Sequence, residues 1–308
     1  MGNLKKAIVT GADGFIGYNL IIQLLEEGCE VWGVGIDDKK FFSLKNENFH
    51  FIKAFFSDYC NISSLLPNDA DCFFHFAWNG VYGDSFKDYK KQIENAKYCC
   101  DALMIAKKIH CKKFILASTI NTLETRGYLM KDDIKPRYTN IYAMSKLAAE
   151  MLCKTLAYQN DIEFNCGLIS MVYGENNFSR MVPNVVIENL LCNRESNLLP
   201  YDTKYDLIYV KDVARLFIAM AKKGIDQKTY YIGHRVLSNF GNIFEEIRDI
   251  INPQGILNFG VYQEANKIDY SLIKIDELYL DTGVEPIYSL KDTILKTADF
   301  IKTIIKGG

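Results

Sequence analysis

The chain has 308 residues, 49% of them hydrophobic and 24% charged, a globular mix that excludes a disordered tail protein. Its 36 Lys+Arg against 38 Asp+Glu leave a formal charge of −2, which gives no bulk attraction to nucleic acid or to an anionic membrane. No apolar run approaches the ~18 residues needed to cross a bilayer, and nine scattered cysteines without a C-x-x-C pair fit reduced thiols, so a cytoplasmic protein with no membrane or nucleic-acid partner is expected.

In chain order, residues 6–10 predict a buried strand and residues 15–27 a helix with Ile16, Leu20, Ile21, Leu24 and Leu25 inward. Strands follow at 30–34, 49–54 and 72–77, the last a solid apolar run of the kind covered on both faces of a sheet. A long helix is predicted over 86–110, a strand over 113–118, a helix over 141–158 and a strand over 163–169. This βαβα alternation predicts an α/β fold of the Rossmann type, a doubly wound parallel sheet. After about Tyr173 the rhythm breaks. Helices near 182–192, 213–222, 240–251 and 289–306, with short strands at 207–210 and 229–232, predict a smaller α/β lobe. The expected division is a dinucleotide-binding domain over 1–173 and a substrate-binding lobe over 174–308, with some segments packing back on the first domain. The four histidines and the cysteines have no zinc spacing, so no metal is expected.

The first strand runs into Thr10-Gly11-Ala12-Asp13-Gly14-Phe15-Ile16-Gly17 and then a helix. Gly11 permits a tight turn, Gly14 admits backbone N–H groups close to a pyrophosphate, and Gly17 lets the helix pack against the strand. Further on, Tyr142-Ala143-Met144-Ser145-Lys146 places a phenol and an ammonium at i and i+4, on one helix face. A tyrosine ordinarily titrates near 10, and a neighbouring lysine cation favours the phenolate, which makes Tyr142 an acid/base candidate at neutral pH. The fifth strand ends in Ser118-Thr119, and the fourth in His75-Phe76-Ala77-Trp78.

The G-x-x-G-x-x-G spacing, the strand-end hydroxyl and Tyr-x-x-x-Lys, in that order, resemble the extended short-chain dehydrogenase/reductase family of nucleotide-sugar epimerases, dehydratases and reductases. Later segments extend the resemblance over nearly the whole chain: Met171-Val172-Tyr173-Gly174, 206–214, Tyr231-Ile232-Gly233, and Gly283-Val284-Glu285-Pro286 with Ser289-Leu290. The resemblance implies a catalytic set of Thr119, Tyr142 and Lys146. It implies cofactor contacts from Gly11, Asp13, Gly14, Phe15, Ile16, Gly17, Phe76, Ala77, Trp78 and Ser118 besides Tyr142 and Lys146. It leaves His75 and Asn95 structural, and it implies a homodimer through the 86–110 and 141–158 helices. Sugar contacts are expected from Trp78, Tyr82, Asn121, Arg180 and Tyr205.

Three departures narrow this reading. Family dehydratases carry Asp-Glu after the catalytic Thr, and Ile120-Asn121 stand there, which disfavours dehydration. The arginine expected before Asp206 is Tyr205, so the diphosphate grip is open, with Arg180 and Lys267 as candidates to compensate. The second strand ends in Gly35 rather than an acid, with Asp37, Asp38, Lys39 and Lys40 following. An acid there would favour NAD, and the glycine tips the balance towards NADP. The expected activity is a reductase or dehydrogenase at C4 of a nucleotide-activated sugar, similar to the 4-keto sugar reductases of polysaccharide biosynthesis. The alternative is a 4-epimerase. A dinucleotide sensor without catalysis is a third reading, countered by the intact Thr119, Tyr142 and Lys146.

Overall fold

The computed structural model describes residues 4–59, 61–81, 83–130, 140–263 and 268–307. The chain forms two units. The first holds the described residues up to Ile169 together with Ala214–Ile232 and Ile268–Val284. The second holds Ser170–Val213 with the described residues of 233–267 and 285–308. The chain therefore crosses between units repeatedly, first between Ile169 and Ser170.

The first unit carries β1 (Lys6–Thr10), α1 (Phe15–Glu26), β2 (Glu30–Gly35), β3 (Phe49–Lys53), β4 (Cys72–His75), α2 (Tyr89–Lys108), β5 (Lys113–Thr119), α3 (Asn121–Tyr128), α4 (Asn140–Gln159) and β6 (Glu163–Ile169). The second opens with β7 (Met171–Tyr173), α5 (Val182–Leu191), β8 (Ser196–Asn197), β9 (Lys204–Tyr205) and β10 (Leu207–Tyr209). Helix α6 (Val210–Lys223) leads back to β11 (Thr229–Ile232) of the first unit. Then come β12 (Ser238–Asn239), α7 (Phe240–Ile251), β13 (Leu257–Asn258), α8 (Glu277–Thr282) and α9 (Leu290–Gly307).

Seven strands make one sheet in the order β11-β6-β5-β4-β1-β2-β3, with every pairing parallel. Residues of β4, β5 and β6 are buried almost throughout because helices cover both faces, which is why these strands read as continuous apolar runs. One register row sets Phe73, Phe114 and Phe164 side by side across three strands, with ring centroids 5.4 and 6.5 Å apart. The strand order turns back between β1 and β4, and the crevice beyond their carboxyl ends is where such sheets bind ligands.

The structure corrects several sequence expectations. The helix expected over 86–110 starts at Tyr89, because the Asp88 carboxylate accepts the Lys91 N–H at 3.2 Å and caps it, while Gly83–Lys87 is a separate 3₁₀ turn. The strand over 229–232, assigned to the smaller lobe, is the edge of the main sheet, where Tyr230, Tyr231 and Ile232 are buried. Helices α3 and α8 were not expected from the sequence, since both are short and too polar to show apolar periodicity.

An ionic tie joins three of these elements. The Glu150 carboxylate on α4 accepts from Arg126 of α3 at 2.7 Å and from the Thr229 hydroxyl of β11 at 2.8 Å, and its side chain is 3% exposed. Removing one partner of a buried pair strands the other. Glu150→Ala is expected to cost about 3 kcal/mol of folding stability, and Glu150→Gln less, read from urea denaturation midpoints. A loss under about 0.5 kcal/mol would mean that the tie is neutral to the fold.

In the second unit β7 and β10 pair in parallel, and α5, α7 and α9 pack together. The buried Asp206 carboxylate takes the His234 N–H at 2.9 Å and its ring Nδ1 at 2.6 Å. Asp212 takes the N–H groups of Ile287 and Tyr288 at 3.0 and 3.1 Å. Among the described residues no helix is long and apolar enough to cross a membrane.

Candidate active site

The loop between β1 and α1 stands at the point where the strand order turns back. Gly11 has a φ of +68°, and a Cβ there would lie 2.8 Å from the Ala77 nitrogen, so both conformation and space demand glycine. A Cβ on Gly17 would lie 2.2 Å from the Gly11 oxygen, which is the close helix–strand approach expected of that position. Gly14 N–H closes the turn on Gly11 O at 3.0 Å, and α1 starts without a side-chain cap. Its first-turn N–H groups, among them those of Phe15 and Ile16, are thereby left to an anion. These features fit a dinucleotide pyrophosphate.

At the end of β4 the backbone passes close to this loop. Phe76 N–H donates to Thr10 O at 3.2 Å and Ala77 N–H to the Thr10 hydroxyl at 3.4 Å. The Phe76 ring packs edge-on against Phe217 of α6, with centroids 4.7 Å apart. His75 Nδ1 meets the Thr10 hydroxyl at 2.8 Å. Complete burial, with Lys146 nearby, pulls the His75 imidazole down to about 3, so it is neutral at working pH. Asn95 of α2 clasps the Asn79 backbone, accepting its N–H and donating to its carbonyl, both at 2.8 Å.

Helix α4 packs on β5 and presents Tyr142 and Lys146 one turn apart. Lys146 Nζ donates to Ala117 O at 3.0 Å, two residues before Thr119 at the strand end. Burial pulls the Lys146 ammonium down from its ordinary 10.5 to about 8. Trp78 lies between the two: Lys146 Nζ stands 3.8 Å from its ring centroid, and Tyr142 meets it edge-on at 6.0 Å. Phe86 closes on Tyr142 from another side at 4.8 Å and 88°. Thr119, at the strand end, is partly buried and its hydroxyl accepts the Asn121 N–H at 3.3 Å, while Ser118 is buried.

Asp13 has a role that spacing did not reveal. A Cβ on Gly35 would lie 2.5 Å from its Oδ1, and its Oδ2 accepts the Asp37 N–H at 3.2 Å. Lys40 Nζ donates to the Asp13 carbonyl at 2.7 Å, and burial lowers its pKa. Gln92 was also missed. It is fully buried, accepts the Trp78 indole N–H at 2.9 Å and donates to Gly80 O and Ser85 O. Its signal in the sequence was a polar residue one turn before Asn95 on the inward face of a helix.

Thr119, Asn121, Tyr142, Lys146, Trp78 and the glycine loop all belong to the first unit. Arg180 and Tyr205 belong to the second: Arg180 pairs with Glu188 at 2.6 Å, and the Tyr205 ring packs against Phe240 with centroids 5.0 Å apart. Tyr82 and Lys267 lie outside the described residues.

The model of the NAD dependent epimerase/dehydratase family matches residues 7–233. The chain belongs to that family, and it is an enzyme. It is 28% identical to dTDP-D-glucose 4,6-dehydratase of Bos taurus over 97% of this chain and 89% of that one. It is 24% identical to dTDP-4-dehydro-6-deoxyglucose reductase of Escherichia coli over 96% and 97%. UDP-glucuronic acid 4-epimerase from Bacillus cereus, solved in complex with NAD, superposes with a TM-score of 0.77 at 25% identity, over 98% of each chain.

Proposed function

We propose that the chain is a nucleotide-sugar oxidoreductase that reduces a 4-keto sugar, or oxidises the corresponding alcohol, at C4. The observation that carries this reading is the Tyr142–Lys146 pair on α4, anchored by Lys146 to the strand that ends in Thr119. A nicotinamide dinucleotide would supply or accept hydride, held at its pyrophosphate by the Gly11–Gly17 loop and the start of α1, and at its nicotinamide ribose by Lys146. In reduction, Tyr142 gives its phenolic proton to the oxygen at C4 while Thr119 donates a hydrogen bond to that oxygen. The Lys146 cation lowers the cost of the phenolate left behind.

Dehydration would need a further acid and base beside the redox pair, and this site does not supply them. Ile120 packs against the apolar core and Asn121 gives its N–H to Thr119, so neither position offers a carboxyl to move a second proton. Glu124, the first acid beyond them, is buried and accepts the Tyr128 hydroxyl at 3.1 Å. Retention of the redox pair without dehydration supports a reductase like the Escherichia coli relative, with a 4-epimerase like the Bacillus cereus enzyme as the second reading.

For the cofactor, the surroundings of Asp13 favour NAD over the NADP expected from Gly35. The Asp13 carboxylate stands where a strand-end acid is missing. Lys40 is engaged on the Asp13 carbonyl, and Lys39 faces Asp37 at 3.7 Å. A 2′-phosphate would meet Asp13 and Asp37, whereas ribose hydroxyls would find an acceptor, which supports NAD. A homodimer through α2 and α4 is supported by Ile93, Met104, Met144, Met151, Leu152 and Tyr158, which are exposed on these two packed helices.

The test is to incubate the pure protein with a panel of nucleotide-linked 4-keto sugars and each of NADH and NADPH, following nicotinamide absorbance and product stereochemistry. Stoichiometric consumption of NADH, at least about tenfold faster than of NADPH, is expected. Interconversion of C4 epimers without net consumption would establish the epimerase instead. Release of water from a 6-hydroxyl would overturn both.

A further inference from the structure

We propose that Trp78 is a positioning residue for the Tyr142–Lys146 pair: its indole face seats the Lys146 ammonium and its edge backs the Tyr142 ring. This rests on the catalytic reading above and assigns Trp78 to the lysine rather than to the sugar.

A buried ammonium needs electron-rich partners for its three N–H donors. Among the described residues Lys146 has Ala117 O at 3.0 Å and, 3.8 Å away, the centroid of the Trp78 ring. An indole is the strongest aromatic partner for a cation, and more so where water is excluded. The other groups facing Lys146 carry no charge at neutral pH. His75 on β4 is neutral, burial pushes the Cys99 thiol of α2 up to about 12, and burial raises the Cys166 thiol of β6 well above its ordinary range. Glu150, one turn on along α4, is tied to Arg126. The indole face and one carbonyl thus hold the cation.

The indole is itself fixed. Its N–H donates to Gln92, and Gln92 is pinned by Gly80 O at 2.7 Å and Ser85 O at 2.9 Å. Ser85 is followed directly by Phe86, which closes on Tyr142. Gln92 therefore ties the Trp78 indole to Ser85, the neighbour of Phe86, and both rings meet Tyr142 as perpendicular aromatic contacts.

The chain has two tryptophans, Trp32 and Trp78, so Trp32→Phe leaves Trp78 as the only indole. In that protein, without substrate or cofactor, Trp78 emission is expected to change sigmoidally with a midpoint near 8 as Lys146 loses its proton. The change should persist with Tyr142→Phe and vanish with Lys146→Met. Emission that stays flat from about pH 7 to about pH 10, or that titrates unchanged in the Lys146→Met protein, overturns the proposal whatever the enzyme's substrate proves to be.

A kinetic arm separates positioning from sugar contact. Trp78→Leu is expected to lower kcat about 10- to 100-fold, with KM for the sugar little changed. It should also move the alkaline limb of the kcat profile down by about one pH unit. Trp78→Phe, which keeps an aromatic face, should recover most of kcat. A raised KM at unchanged kcat would place Trp78 against the sugar and overturn the assignment. If no sugar in the panel turns over, the C4 reading fails while the emission titration still decides the role of Trp78.

Discussion

Tyr142→Phe is expected to lower turnover about a thousand-fold while leaving the fold and dinucleotide affinity intact. The ring stays wedged between Trp78 and Phe86, because Phe keeps both perpendicular contacts. Only the hydroxyl is lost, which removes the proposed proton donor for the oxygen at C4. Losing its hydrogen bonding should change folding stability by no more than about 1 kcal/mol. The measurements are kcat on the substrate found by the panel, the urea midpoint, and quenching of protein fluorescence by NADH. Turnover within about tenfold of the parent would remove Tyr142 from the chemistry, and a collapsed fold would make it a packing residue.

Lys146→Met is expected to abolish turnover and yet to stabilise the protein. Burial lowers the Lys146 pKa to about 8 from an ordinary 10.5. Between those two values the unfolded chain holds more protons than the folded one, so stability rises with pH across that window. Below about 8 the folded state carries the full cost of a desolvated ammonium, on the order of 3 kcal/mol. Methionine has a similar length and no charge to desolvate. The variant should therefore be more stable near neutral pH by about that amount, and the difference should shrink towards zero as pH approaches about 10.5. The buried thiols titrate in both proteins, so the difference between them isolates Lys146. Urea denaturation of both proteins at several pH values checks this. A variant less stable than the parent near neutral pH, or a difference independent of pH, would show that Lys146 is retained for the fold rather than at its expense.

Much of this site was legible because its signals are local. The glycine loop is a run of eight residues, and Tyr142 and Lys146 are one helical turn apart, so steric and helical rules place them without knowledge of the rest of the chain. The parallel sheet was legible because strands covered on both faces are apolar throughout. The return of β11 to the main sheet was not, because a four-residue apolar strand can pair with either unit equally well on pattern alone. Nor was the start of α2: Asp88 is one of several polar residues before the helix, and only its contact with the Lys91 N–H marks it as the cap.

The amino-acid order by itself determined the alternation of strands and helices, the anion-binding turn, the phenol–ammonium spacing, and the missing carboxyls at Ile120 and Asn121 that argue against dehydration. Tertiary structure alone decided what those groups face. It set Trp78 rather than a carboxylate over Lys146, placed Asp13 in the gap beside Gly35, and returned β11 to the sheet behind the site. The reason is range. Spacing rules act within a turn or a strand, whereas desolvation, cation–aromatic contact and the choice between two ribose environments depend on residues brought together from distant stretches of the chain.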